Sequence, residues 1–77
     1  MKADKTLDCV GLYCPMPIVK TAAKIKELKV GEILEIQADD KGIKLDMPAW
    51  CKTTGNELVE IKEEEEGIFK AYIKKLV

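Results

Sequence analysis

The segment between residues 8 and 17 reads Asp8-Cys9-Val10-Gly11-Leu12-Tyr13-Cys14-Pro15-Met16-Pro17. Alternation and β-forming side chains over residues 6–10 predict a short strand, and residues 11–13 predict a turn. Pro15 and Pro17 favour the first turn of a helix, where the missing N–H of proline would go unused. The segment therefore predicts a strand that leads through a tight turn into a helix, with Cys14 at or near the helix start.

The chain after this segment alternates between helical and extended patterns. Apolar residues at helical spacing predict a first helix that ends at Gly31; they are Ile18, Ala22, Ile25 and Leu28. Alternation over residues 32–38 predicts a second strand, and residues 39–42 predict a turn. Asp46 is a candidate N-cap for a short second helix with Pro48 in its first turn and an end at Gly55.

The last third of the chain predicts a β-hairpin. Residues 58–63 and 68–75 both alternate, and the acidic stretch 64–67 lies between them as a loop. In the second of these strands, Phe69, Ala71 and Ile73 are expected to face inward. The complete order β-α-β-α-β-β predicts an α+β fold, a two-layer α/β sandwich with two helices on one face of a four-stranded mixed sheet. Residues 1–77 are predicted to form one domain.

Composition excludes several classes of function. The chain has 77 residues, no His, no Arg and a net charge of −1, which argues against a nucleic-acid binder and against His-dependent catalysis. Three cysteines without His do not supply a closed zinc site, so neither a metal nor a cofactor is predicted. An odd number of cysteines, no apolar leader and no long apolar run favour a cytoplasmic protein without membrane contact.

Cys14 is the candidate catalytic residue. A helix N-terminus favours the thiolate form of a cysteine, which is the nucleophilic form. The alternative is a small apolar filler, which is the usual role of a free cysteine. The proline frame of Pro15 and Pro17 favours function, since a filler needs no such frame.

The other two cysteines are weaker candidates. Cys9 could act as a second, resolving thiol, but an inward-facing strand residue is the favoured interpretation. Cys51 lies beside Trp50 on the apolar side of the second predicted helix and is expected to fill the core. The first predicted helix also carries lysines that could guide an acidic partner or form a solvated face; they are Lys20, Lys24, Lys26 and Lys29.

The opening segment resembles the hallmark Gly-Leu-x-Cys-Pro-x-Pro of the TusA/SirA/YedF-like sulfur carrier family, with Gly11, Leu12, Cys14, Pro15 and Pro17 at the matching positions. Three later blocks, at residues 31–40, 46–55 and 68–74, are similar to the family's second strand, second helix and last strand. The chain departs from many members at two positions. Val10 stands where they have Arg, and Asn56 stands where they have His.

The resemblance implies a sulfurtransferase-type carrier that accepts sulfur as a persulfide on Cys14. The donor would be a cysteine desulfurase or a rhodanese-type protein, and a protein acceptor would use the sulfur for transfer-RNA thiolation or other sulfur metabolism. Such a carrier is a co-substrate rather than a turnover enzyme, and a monomer is expected. Two alternatives stay open at this point: a thiol redox switch that uses Cys9 and Cys14, and a non-catalytic regulatory binding module.

Overall fold

The computed structural model describes residues 3–13, 16–65 and 67–77. Within these ranges the chain forms four strands and two helices. The strands are Lys5–Cys9 (β1), Ile33–Ala38 (β2), Glu57–Glu65 (β3) and Ile68–Lys74 (β4); the helices are Met16–Lys24 (α1), which a short 3-10 turn at Ile25–Glu27 extends, and Ile43–Thr54 (α2). The predictions for Cys14 and Pro15 lie outside the described residues.

The four strands form one mixed sheet in the order β1-β2-β4-β3. β1 runs parallel to β2, with Cys9 opposite Ala38 at the carboxyl ends of both strands. β4 is antiparallel to both of its neighbours, β2 and β3. The predicted α+β fold with a mixed four-stranded sheet is therefore confirmed. The parallel strands β1 and β2 finish at the same end of the sheet, and each is followed by a helix.

The core lies between the sheet and the two helices. Leu34, Ile36 and Ala38 of β2 are fully buried, which confirms the alternation predicted for this strand. Alternate residues of β4 and the buried side chains of the helices complete the core; they are Phe69, Ala71, Ile73, Ile25, Ile43, Met47 and Cys51. The strand residues of this set point to one face of the sheet, and the helices that supply the other residues cover that face.

The first helix is shorter than the sequence predicts, but Ile25 and Leu28 of the predicted apolar set are buried and Ile18 packs against the core. The helix does not reach Gly31, which adopts a φ of 95° in the turn before β2. Thr21, which is not among the predicted apolar residues of this helix, is fully buried, and its hydroxyl donates a hydrogen bond of 2.7 Å to the carbonyl of Pro17. This local bond satisfies the hydroxyl, so threonine can take a core position without an unpaired polar group.

The second helix begins one turn earlier than predicted. Its N-cap is Gly42, whose N–H donates to the carboxylate of Asp40 at 2.9 Å, and the N–H of Ile43 donates to the carbonyl of Asp40 at 3.1 Å. Asp46 is therefore not the N-cap, and Pro48 lies inside the helix. The predicted end is confirmed, since Gly55 closes the helix in the left-handed conformation at a φ of 84°.

Candidate functional site

The described residues of the motif, Gly11, Leu12 and Pro17, follow β1 at the end of the sheet where β1 and β2 both finish. The chain leaves β1 after Cys9 and re-enters regular structure at Met16, the first residue of α1. It leaves β2 after Ala38, directly opposite Cys9, and starts α2 at Ile43. Two strand-to-helix connections therefore lie side by side at this end of the sheet. In the sequence, Cys14 belongs to the first of them.

The turn after β1 is held by hydrogen bonds that its own residues supply. The N–H of Val10 donates to a carboxylate oxygen of Asp8 at 2.9 Å, and the N–H of Leu12 donates to the carbonyl of Cys9 at 3.1 Å. Gly11 adopts a φ of 87° between them, a conformation that side-chain-bearing residues adopt only at a cost. The position thus requires glycine for its backbone conformation, which is why this part of the motif is a Gly.

A carboxylate from the neighbouring connection also holds this turn. Asp39, the first residue after β2, accepts a hydrogen bond of 3.0 Å from the N–H of Gly11. The sequence interpretation placed Asp39 in a turn and gave it no role at the site. The available signal was its position, because an acidic residue that directly follows a parallel strand lies next to whatever follows the adjacent strand.

Contacts of the residues before and after positions 14 and 15 hold the start of α1. The N–H of Met16 donates to the carbonyl of Tyr13 at 2.8 Å. Pro17 is buried in the first turn of the helix, where its lack of an N–H has no cost. Leu12 packs against the hydrophobic core. Of the motif-supporting residues, Gly11, Leu12 and Pro17 thus hold this connection in place, while Pro15 lies outside the described residues.

Apolar side chains remain exposed on either side of Cys14 in the sequence. Tyr13 is 80% exposed, Met16 40% and Val10 44%. Contiguous exposed apolar patches are typical of surfaces that contact another protein, whereas single exposed apolar side chains are common. These side chains are therefore available to a partner that approaches this connection.

The two described thiols are buried. Cys9 has no exposed surface; burial raises the pKa of its thiol, the nearby Asp8 carboxylate raises it further, and the Lys20 ammonium acts in the opposite direction. Cys51 is 2% exposed, and burial raises the pKa of its thiol to about 11. Both are therefore protonated at neutral pH, and thiols in that form are poor nucleophiles.

The lysines of the first predicted helix are mostly exposed. Lys24 forms a salt bridge with Glu27, at 3.3 Å between Nζ and a carboxylate oxygen. Lys20 and Lys26 are exposed. Lys20 acts on the Cys9 thiol electrostatically, so its positive charge lies towards the end of β1. Within residues 3–13, 16–65 and 67–77, no group of three or more His, Cys, Asp or Glu side chains could hold a metal ion.

The fold and the motif at the first connection define a small α+β sandwich of the sulfur carrier class. The family model described as Sulfurtransferase TusA matches residues 5–75, and the chain belongs to this family. It is 51% identical over 75 residues to YrkI of Bacillus subtilis, which covers 97% of this chain and 99% of YrkI. It is 43% identical over 72 residues to the sulfur carrier protein TusA of Allochromatium vinosum, covering 94% of this chain and 93% of that protein.

The fold has a close counterpart among solved structures. The crystal structure of a SirA-like protein from Desulfitobacterium hafniense superposes with a TM-score of 0.82 and covers 95% of this chain and 99% of that one. The sequence identity is 20%, so this likeness concerns the fold alone. No helix in the described part of the chain is both long and apolar enough to cross a membrane.

Proposed function

We propose that this protein carries sulfur as a persulfide on Cys14 and passes it to a partner protein. The observation that carries the proposal is the contrast between Cys14 and the other two cysteines. Cys9 and Cys51 are buried and have raised pKa values, whereas Cys14 lies in the family's hallmark motif, between the exposed residues Tyr13 and Met16. The whole chain, residues 1–77, would act as one carrier domain in the cytoplasm.

The reaction consists of two thiol exchanges. In the first, the Cys14 thiolate attacks the terminal sulfur of a donor persulfide; the sulfur–sulfur bond of the donor breaks, a new one forms on Cys14, and the donor cysteine leaves as a thiolate. In the second, an acceptor thiolate attacks the terminal sulfur on Cys14, and Cys14 leaves as a thiolate. Each exchange breaks one sulfur–sulfur bond and forms another, so neither needs an external oxidant or a general base.

The protein partners follow from this chemistry. Membership of a sulfur carrier family implies protein partners in sulfur transfer. The donor would be a cysteine desulfurase or a rhodanese-type protein, and the acceptor would serve transfer-RNA thiolation or another branch of sulfur metabolism. The exposed apolar residues Val10, Tyr13 and Met16, together with Lys20, would contact these proteins during the exchange.

Burial supports the relay over a redox switch. A disulfide between Cys9 and Cys14 would need Cys9 as a nucleophile or as an accessible partner, and its thiol is fully buried with a raised pKa. We therefore expect mild oxidation of the isolated protein to leave Cys9 unpaired. Intact mass under non-reducing conditions, with peptide mapping, would reveal a Cys9–Cys14 disulfide if the switch were the true function.

The test of the relay is sulfur loading followed by intact mass measurement. The protein is incubated with a cysteine desulfurase and cysteine, and wild type is compared with Cys14→Ser and with Cys51→Ala as a control. We expect wild type and Cys51→Ala to gain one sulfur atom that a reductant removes, and Cys14→Ser to gain none. A sulfur adduct that persists in folded Cys14→Ser, or none in folded wild type with any donor, would overturn the proposal.

A further inference from the structure

The turn that precedes Cys14 is held by two carboxylates with different reach. Asp8 is two residues from Val10, the residue whose N–H it accepts, so this bond shapes the turn from within. Asp39 is 28 residues from Gly11 and belongs to the next connection, so its 3.0 Å bond ties the turn to the end of β2. The first bond therefore governs the shape of the turn, and the second governs its place on the sheet.

The sheet register explains why Asp39 can reach the turn. Cys9 and Ala38 are direct partners at the ends of the parallel pair β1 and β2. Asp39 is the next residue after Ala38, and Gly11 follows Cys9 by two residues. The residues that follow β1 and β2 thus lie at the same end of the sheet. There the exposed carboxylate of Asp39 can accept a hydrogen bond from a backbone N–H of the adjacent connection.

A carboxylate at this place has an electrostatic disadvantage. Negative charge near a thiol opposes its ionisation. Asp8 and Asp39 both accept hydrogen bonds from the turn that leads to Cys14, and a carrier cysteine reacts as the thiolate. A negatively charged acceptor forms a stronger hydrogen bond to a backbone N–H than a neutral one does. The gain from Asp39 is therefore expected in the position of the turn rather than in the local charge.

We infer that Asp39 is a positioning residue for Cys14, since it anchors the Gly11 turn to β2 and so fixes where the segment towards α1 begins. This inference rests on the proposed role of Cys14. A thiolate gains from a helix N-terminus only within about the first turn of that helix. Cys14 precedes Met16, the first residue of α1, by two residues in the sequence. We therefore expect the loss of this anchor to lower the thiolate fraction of Cys14.

Two substitutions separate the hydrogen bond from the charge. Asp39→Asn keeps a side-chain oxygen that can accept from Gly11 and removes the charge, whereas Asp39→Ala removes both. The difference between these variants therefore reports the hydrogen bond alone. The neighbouring charges on Asp8 and Lys20 are the same in both.

Asp4→Ala is the matched control. Asp4 accepts a hydrogen bond of 2.8 Å from the N–H of Ile33, and it joins β1 to β2 in the same way at the opposite end of the pair. Its loss should lower the unfolding temperature about as much as the loss of the Asp39 bond. It should leave the reactivity of Cys14 unchanged, because Asp4 lies at the opposite end of the β1–β2 pair.

The measurement is the rate of Cys14 alkylation by iodoacetamide, followed by intact mass from about pH 6 to about pH 10, around the ordinary thiol pKa of about 8.5. Cys14→Ser supplies the background from Cys9 and Cys51. We expect Asp39→Ala to react about threefold to tenfold more slowly than Asp39→Asn at neutral pH, with a higher apparent thiol pKa. Asp4→Ala should keep the wild-type rate and profile.

Equal rates and profiles for Asp39→Ala and Asp39→Asn would overturn the inference, as would an Asp4→Ala variant that slows to the same degree. Alkylation needs no sulfur donor, so its result is independent of the relay. A difference between the Asp39 variants without sulfur loading would reject the relay and keep the positioning role. Sulfur loading with identical Asp39 variants would reject the positioning role and keep the relay.

Discussion

Single residues in this protein differ in chemistry mainly because they differ in burial. Cys9 and Cys51 carry the same functional group that the proposed relay uses, yet both lie in the core with raised thiol pKa values. Their side chains behave as small apolar fillers. A thiol can serve as a carrier only where solvent and a partner can reach it, so the position of a cysteine decides its role.

The Cys51 thiol makes stability depend on pH in the alkaline range. Its pKa is about 11 in the folded protein against 9.0 as the ordinary value, so the unfolded chain ionises first as the pH rises. Its contribution is fully present below about pH 9 and is lost as the pH rises through 11, with an upper limit of about 2–3 kcal/mol. We expect Cys51→Ala to lose less stability than wild type between those values, measured by urea unfolding.

The control for this pH dependence is the comparison of the two proteins at each pH. All other ionisable groups are common to both proteins, so the difference between wild type and Cys51→Ala isolates the thiol. At neutral pH the variant should be less stable, because the substitution leaves a small cavity. A stability difference that stays constant from neutral pH to above pH 11 would contradict the prediction.

Among the elements, the connection between β1 and α1 depends on the left-handed backbone conformation of Gly11. Gly11 and Gly67 have nearly the same φ, 87° and 81°, and a Cβ built on either meets no atom within 4 Å. A substitution to alanine at either position is thus disfavoured by the backbone conformation and not by a clash. The two glycines lie in different turns, one before α1 and one between β3 and β4.

This pair gives an element-level prediction. Gly11→Ala and Gly67→Ala should each lower the free energy of unfolding by about 1–2 kcal/mol, the usual cost of a left-handed residue with a side chain. In the sulfur-loading assay only Gly11→Ala should be slower, since only this turn leads to Cys14. Urea unfolding measures the first effect and the rate of the mass increase measures the second. Equal loading rates in the two variants would argue against a role for the turn in the relay.

For the whole molecule, burial is not confined to the face of the sheet that the helices cover. Tyr72 lies on the other face, opposite Glu35 and Glu60 in the strand pairing, and is only 3% exposed. Burial raises the pKa of its phenol, and a hydrogen bond to Glu35 raises it further. The alternation that turns Phe69, Ala71 and Ile73 inward places Tyr72 on this other face, but alternation does not predict its burial there under polar neighbours.

The two-layer arrangement predicts where truncation of a leucine is costly. Leu34 is fully buried in β2, whereas Leu45 of α2 is 79% exposed. Leu34→Ala should lower the free energy of unfolding by about 2–5 kcal/mol through lost burial and a cavity. Leu45→Ala should change it by less than about 0.5 kcal/mol. Urea unfolding of both variants tests this, and similar losses would mean that the core is not centred on β2.

The order of elements, the inward side chains of β2 and β4 and the hallmark motif could be predicted from the sequence, because alternation, helical spacing and proline placement are local properties. The start of α2 was predicted one turn late. Asp46 before Pro48 has the local pattern of a helix start, but the actual start uses the carboxylate and carbonyl of Asp40. Two local patterns competed there, and the sequence contains no measure of their relative strength.

By itself, the sequence determined the βαβαββ order, the turn after the first strand and the cysteine motif that marks the family. Only the tertiary structure decided that Thr21 belongs to the core and that Asp39 bonds Gly11, whereas the burial of Cys9 and Cys51 matches the sequence prediction. These features depend on how distant segments are paired. The parallel register of β1 and β2 brings residues 28 positions apart into contact, and no local pattern encodes that distance.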